Sequence, residues 1–388
     1  MPARKTHVLH VHNYSTWGGN IEHISLLAKG LNPSRYAVWV AGPMRLPYMA
    51  RLRDMGIQVV HSEIRQQFDP AAVAHFLRLF RGHRIDIIHT HIRPADFHGG
   101  LAAMLARNVL AVCTLHGKVN TDELGQQHDD LAAQVYSFAL RRFFDRVLTV
   151  SEALRREALD ITGAKPERFV HVTNGIDLSR FKALAPRAVK RRELGLDDGD
   201  LAVGMMSRFV SNESVTKGHP EFFAAARAVL SRVPTAKFVL IGDGVTRPAY
   251  QQRVQADGLA DRFLFLGHRD DVPDVLAALD VSVLPSLGEG LPRALMESMA
   301  AGVPVIGTEL DGIVELLDRG RVGLLVPPRN PEALANAMFT LLTQREQAKR
   351  LAAEGRHRVE AHYSKEHMIA ETERVYEGLL AARRKLHP

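Results

Sequence analysis

The sequence predicts an α/β protein built from two doubly wound, Rossmann-like domains. Three observations point there. The chain has 388 residues, about twice the usual length of one domain. Short apolar, β-branched runs alternate with longer stretches of helical period from one end to the other. That alternation comes in two series, separated by a charged segment around residues 181–199.

In the first series a strand is expected at residues 6–12, a helix at 19–31 and a strand at 36–41. Strands at 57–61, 85–90 and 110–115 follow, with helices from Pro70 to about Arg81 and from about Ala95 to Arg107 between them. After Asn174-Gly-Ile-Asp177, residues 181–199 carry Lys or Arg at 182, 187, 190, 191 and 192, with Pro186, Gly195 and only weak periodicity. They read as the interdomain segment, which gives an N-terminal domain of 1–182 and a C-terminal domain of 183–364. The second series has strands expected at 201–206, 237–241, 263–266, 281–284, 303–306 and 323–326. A last helical stretch, 365–385, is amphipathic, with Met368, Ile369, Val375, Tyr376, Leu379 and Leu380 on its apolar side. Such a face needs a partner to bury it.

Composition narrows the function classes. With 46% hydrophobic and 24% charged residues, the chain is neither disordered, collagen-like nor a disulfide scaffold. The one cysteine, Cys113, lies in an apolar run and reads as buried in a reducing compartment, which points to the cytosol. The first residues lack a signal-peptide core, and no uncharged apolar stretch reaches the roughly 18 residues that span a bilayer. Membrane contact, if any, is expected to be peripheral. The net charge of +7 resides wholly in residues 1–183, where Lys and Arg number 23 against 16 Asp and Glu; the rest balances. Such a basic half suits an anionic partner: nucleic acid, acidic lipid or a phosphorylated substrate. Solvated surface charge is the plainer alternative. Nucleic acid has only the charge in its favour, since aromatic residues make up 6% and no recognition motif is present. There is no P-loop, and Gly242-Asp-Gly244 lacks the third glycine of a dinucleotide fingerprint.

In open parallel sheets, ligands bind beyond the carboxyl ends of the strands, so function is sought in the strand-to-helix loops. The most informative is 285–297, Pro-Ser-Leu-Gly-Glu-Gly-Leu-Pro-Arg-Ala-Leu-Met-Glu. Gly288 and Gly290 permit close backbone approach beside Leu291, and the amides at the helix start can take a phosphate. Glu289 is expected to face the ligand. Glu297 is expected about two turns into the helix, roughly 12 Å away, so that the two carboxylates hold two separate hydroxyl clusters. A helix cap with a solvated Glu is the simpler alternative for this loop alone.

The Glu-(seven residues)-Glu pair, Glu289 and Glu297, resembles the signature of the retaining glycosyltransferases of family 4, which have the two-domain GT-B fold. Companions match in order: Gly18-Gly19, Asp86-Ile-Ile-His-Thr-His91, Leu115-His116-Gly117, Val150-Ser151-Glu152, Asn174-Gly-Ile-Asp177, Arg208, Lys217-Gly218 and Ile241-Gly242-Asp243-Gly244. The resemblance implies two Rossmann-like domains facing across a cleft, with the 365–388 helix crossing back onto the first. It implies transfer of a sugar from a nucleotide-diphosphate-sugar donor to a hydroxyl acceptor with retention of configuration.

By that resemblance Arg208 and Lys217 hold the diphosphate, Glu297 the ribose hydroxyls and Glu289 the donor sugar, with His116 beside the reacting carbon. Gly18, Gly19, Gly242, Gly290 and Leu291 line the donor. Ser207 stands where the family often has Gly, and the loop 209–216 is rather long. The resemblance also implies chemistry without a metal or other cofactor. Zinc is the competing reading, because His10, His12, His89, His91 and His116 fall on or at the ends of neighbouring strands, and His89 and His91 share a face. Asp198-Gly-Asp200 mimics a metal-binding Asp-x-Asp but reads as a surface turn. The cation-rich, aromatic segments 70–84 and 140–144 read first as core-facing helices with a solvated edge; because acceptors in this family include lipid-linked and cell-envelope glycans, they are also candidates for docking on an anionic membrane at its cytoplasmic face. A silent sugar-nucleotide-binding scaffold and a GT-B epimerase are the alternatives.

Overall fold

The structure is a computed structural model, and it describes the chain apart from residues 1–3, 14–17, 67, 120–130, 210–216 and 387–388. It divides into two compact units. One holds the described residues up to Gly175 together with the C-terminal helix from Lys365; the other spans Ile176–Ser364.

The N-terminal unit has a wholly parallel seven-stranded sheet: β1 (Thr6–Val11), β2 (Tyr36–Gly42), β3 (Gln58–His61), β4 (Ile87–Thr90), β5 (Leu110–Leu115), β6 (Arg146–Thr149) and β7 (Phe169–His171). Their order is β3-β2-β1-β4-β5-β6-β7. Strand order therefore reverses between β1 and β4, the place where such sheets leave a crevice for ligand. Strands β6 and β7 were not foreseen from sequence. At four and three residues they are too short to show a period of their own.

The C-terminal helix, Lys365–Leu386, buries its apolar face in this unit. Met368, Tyr376 and Leu379 join Val8, Leu27, Leu31, Tyr36, Ile87, Leu110 and Val112 in one core. Close approach requires a small residue opposite: a Cβ on Gly30 would stand 2.1 Å from Ile369 Cδ1. Polar contacts fix the register, with Glu373 accepting from the Asn32 amide at 2.7 Å and Arg383 donating to the Asn108 carbonyl at 2.7 Å.

The C-terminal unit repeats the plan with β8 (Leu201–Met206), β9 (Ala236–Ile241), β10 (Phe263–Gly267), β11 (Val281–Leu284), β12 (Val305–Thr308) and β13 (Leu324–Val326). The order is β10-β9-β8-β11-β12-β13, all parallel, with reversal between β8 and β11. Phe222, Phe223, Phe238 and Phe263 pack against one another in its core.

Two expectations change here. The chain passes between units at Gly175/Ile176, not at 182/183, and residues 181–199 are no linker. The Arg187–Glu193 segment is a helix of the C-terminal unit. Its cations are used internally: Arg191, 7% exposed, donates to the carbonyls of Ala278, Asp197 and Asp200, while Lys190 pairs with Asp271 at 2.8 Å and Glu193 at 2.6 Å. Weak periodicity hid a helix held by charge rather than by an apolar stripe. In the segments proposed for membrane docking, Phe76, Phe80, Leu140 and Phe144 are buried in the N-terminal unit. No helix among the described residues is long and apolar enough to cross a membrane.

Candidate functional site

In the C-terminal unit the candidate residues gather at the carboxyl edge of β8 and β11, the two strands flanking the reversal. Arg208 lies two residues beyond β8 and is exposed. Lys217 precedes the His219–Leu230 helix, for which Gly218 is the N-cap. Glu289 lies in the loop after β11. Lys217 Nζ is 2.6 Å from Glu289 Oε1, and Ser286 Oγ donates to that same oxygen at 2.9 Å. The Ser286 carbonyl in turn accepts from Thr308 Oγ1 at 2.5 Å, which ties the loop to the end of β12. Ser286 and Thr308 were missed from sequence, because a Ser three residues before a Glu carries no signal of its own.

Glycines set the backbone of this edge. Gly218 has φ +71°, and a Cβ there would meet the Pro285 carbonyl oxygen at 1.9 Å. A Cβ on Gly312 would meet the Gly290 carbonyl oxygen at 1.8 Å. Three loops are thus packed backbone to backbone, which no larger residue permits.

The 285–297 loop differs from expectation in one respect. Its helix runs Arg293–Ala300 with Pro292 as N-cap, so Glu297 sits about one turn in, not two. There it faces Arg293 at 3.4 Å, an i,i+4 pair with side chains 10% and 14% exposed. That spacing is legible in sequence and was overlooked. Pro292 supplies no side-chain cap, so the amides of the first turn have no intrahelical acceptor and point outward. Leu291 is 4% exposed. Gly242 is committed inside the unit: its amide donates to the Gly267 carbonyl at 2.8 Å, and a Cβ would meet the Ser207 oxygen at 2.0 Å. It shapes the loop after β9 and offers no free amide.

His219 underlies this edge. Its Nε2 is 3.0 Å from Ser207 Oγ and its ring packs on Phe209 at 4.3 Å between centroids. Burial, with the Lys217 charge second, lowers its pKa to about 4.

In the N-terminal unit the candidates stand at the ends of β1, β4 and β5. Gly18 is the extended N-cap of the Gly19–Gly30 helix. His116 follows β5, and its ring meets His23 of that helix edge-on at 4.8 Å and His91, just past β4, at 5.7 Å. Of the histidines named from sequence, His10, His89, His91 and His116 converge, whereas His12 packs on Tyr48 instead. His10 pairs with His89 across β1 and β4, and His10 Nδ1 lies 2.9 Å from His91 Nε2. His89 is bound on both sides, by Tyr376 OH at 2.6 Å and Thr114 Oγ1 at 2.7 Å. Burial pushes His10 and His12 down to about 3 and lowers His89 and His91 well below the ordinary value. His23 was missed, as a lone His inside a helical pattern. Asp198-Gly-Asp200 is a turn in which the Asp200 carboxylate accepts from the Asp197 amide at 2.9 Å.

Sequence models place the chain. Residues 17–180 match the family described as Glycosyltransferase Family 4, and residues 201–344 match Glycosyl transferases group 1. A 2-deoxystreptamine N-acetyl-D-glucosaminyltransferase of Streptomyces fradiae is 32% identical over 290 residues, covering 71% of this chain and 67% of its own. The chain belongs to the family 4, group 1 glycosyltransferases. It is a hexosyltransferase that uses a nucleotide-sugar donor. Among its relatives, an Escherichia coli UDP-Gal:alpha-D-GlcNAc-diphosphoundecaprenol alpha-1,3-galactosyltransferase is 27% identical over 275 residues, 70% of each chain. A phosphatidyl-myo-inositol mannosyltransferase of Mycobacterium leprae is 26% identical over 387 residues, 97% of each chain. Anabaena HepE, solved with UDP-glucose, superposes with a TM-score of 0.83 at 23% identity, over 96% of this glycosyltransferase and 99% of HepE. That likeness identifies the two-domain GT-B fold.

Proposed function

We propose that this glycosyltransferase moves a hexosyl group to a hydroxyl acceptor with retention of configuration and without a resident metal. The observation that carries the reading is the Lys217–Glu289 contact of 2.6 Å at the strand-order reversal. A cation for the departing diphosphate and a carboxylate for sugar hydroxyls are thereby held side by side. Arg208 is the second cation on the diphosphate, Glu297 takes ribose hydroxyls, and first-turn amides of the Arg293–Ala300 helix add dipolar support. His116 sits beside the sugar, with Gly18 and Gly19 contributing backbone. When the glycosidic C–O bond breaks, its electron pair goes to the nucleotide phosphate. That oxygen takes the proton of the acceptor hydroxyl, whose oxygen bonds to the sugar carbon on the face the leaving group vacates. Two cations supply the charge that a metal would otherwise bring.

Product analysis by NMR tests this: the new bond should keep the donor's anomeric configuration, and an inverted product would refute the mechanism. Conversion of donor with no acceptor present would favour an epimerase instead.

The acceptor we propose is a lipid-linked or cell-envelope glycan met at the cytoplasmic face of a membrane. Two relatives named above act on lipid-borne acceptors by their names. In the N-terminal unit Phe68, Leu131, Phe138, Met104 and Leu105 are exposed, as are Arg107, Arg141 and Arg142. Exposed apolar groups together with cations suit an anionic leaflet. Sedimentation with anionic vesicles should be strong at low salt and weak at high salt; no binding at low salt contradicts the surface.

A further inference from the structure

The histidine cluster exceeds what the transfer reaction uses. We propose that His23, His91 and His116 form a binding site for one borderline divalent transition-metal ion of the Zn2+ class. The site lies wholly within the N-terminal unit and shares His116 with the proposed donor site.

One nitrogen from each of the three rings lies within 4.8 Å of the other two. His91 Nδ1 and His116 Nε2 are 3.4 Å apart. Zinc–nitrogen bonds of about 2.0–2.1 Å at tetrahedral angles require ligand atoms about 3.3–3.4 Å apart, so this edge already has the right length. His23, which comes from a helix rather than a strand end, supplies the third nitrogen within 4.8 Å. Three imidazoles then leave the fourth position for water.

A supporting shell is present as well. His91 Nε2 and His10 Nδ1 share a hydrogen bond of 2.9 Å; in the tautomer in which His91 Nε2–H donates, the lone pair of His91 Nδ1 is directed to the same side as His116. Ligating histidines commonly have their other nitrogen fixed in this way. His116 is only partly buried and gives the ion an approach. A second trio, His10, His89 and His91, is equally compact but less able to bind. Both nitrogens of His89 are taken up by Tyr376 and Thr114. No carboxylate belongs to either trio, and an all-imidazole set selects Zn2+, Co2+, Ni2+ or Cu2+ over Mg2+ and Ca2+.

The experiment is a titration of the metal-stripped full chain with Co2+, followed by visible absorption. Tetrahedral d–d bands should saturate at one ion per chain, be abolished by Zn2+ and persist in Mg2+. His23→Gln should weaken binding at least about tenfold, with its fold checked by circular dichroism, whereas the surface substitution His268→Gln should leave binding unchanged. Absence of the bands in the wild-type chain, or an unchanged affinity in folded His23→Gln, would overturn the site. One consequence rests on the proposed placement of His116 beside the donor sugar: bound Zn2+ should slow donor turnover. Tight Zn2+ binding with unaltered turnover would leave the metal site standing and remove His116 from the donor site.

Discussion

The Lys217 ammonium lies 2.6 Å from the Glu289 carboxylate, joining the residue ahead of the His219–Leu230 helix to the loop after β11. Both side chains are mostly buried, at 22% and 13% exposure. With Ser286 on the same carboxylate oxygen, the pair fixes two loops before any donor arrives. Such preorganisation is what makes charge stabilisation effective at the moment of bond breaking.

Removal of that cation should therefore damage turnover more than folding. Lys217→Met is expected to lower kcat/KM for donor by about 10²–10³-fold, the usual cost of losing one group that stabilises developing charge. The shift in Tm should be small. Steady-state assay of nucleotide release, with a thermal melt alongside, checks both; wild-type turnover would contradict the assignment.

Gly312 offers a test through backbone alone. Its α-carbon faces the Gly290 carbonyl so closely that an added methyl would lie 1.8 Å from the oxygen. Gly312→Ala should push the Glu289–Gly290 segment aside, raising KM for donor while costing about 1–3 kcal/mol of stability, as overpacking does. Unchanged KM in a folded variant would show that the position of this loop is unimportant.

In the N-terminal unit, Tyr376→Phe keeps the ring but removes the hydroxyl 2.6 Å from His89 Nδ1. A buried nitrogen left without its partner costs about 1–3 kcal/mol. Urea unfolding should show that loss, because the Lys365–Leu386 helix anchors the core through this residue.

Much of this was legible in the sequence, and the exceptions have physical causes. The strand series and the 285–297 loop show because apolar runs, glycines and carboxylates occur at fixed spacing. The Arg187–Glu193 helix did not show, since Arg191 and Lys190 are satisfied by carbonyls and carboxylates distant in sequence. Glu297 lies a turn less deep than expected because the helix begins at Arg293, four residues beyond Glu289. The histidines were visible one by one. Their convergence depends on sheet register, which sets His10 against His89, and on the helix that brings in His23.

Acid should weaken the fold through buried imidazoles. His219 titrates at about 4 when folded and at its ordinary 6.5 when unfolded. Between those values the unfolded chain binds a proton that the folded chain refuses, so stability present above pH 6.5 is lost as pH falls toward 4. At 1.36 kcal/mol per unit the loss is about 3 kcal/mol. His10 and His12, held at about 3, act in the same direction. Stability curves from pH 7.5 to 4 should fall, and His219→Gln should flatten part of the slope.

The central claim is that the edge formed by Arg208, Lys217, Glu289 and Glu297 binds a nucleotide-diphosphate sugar. The most direct measurement is a metal-free screen of UDP-, GDP- and ADP-sugars, following thermal shift and slow nucleotide release in the wild-type chain and in Lys217→Met. One donor should raise Tm and release its nucleotide, with both responses much reduced in the variant. A folded wild-type chain that responds to none of them, or a variant that responds as well as wild type, would contradict the account.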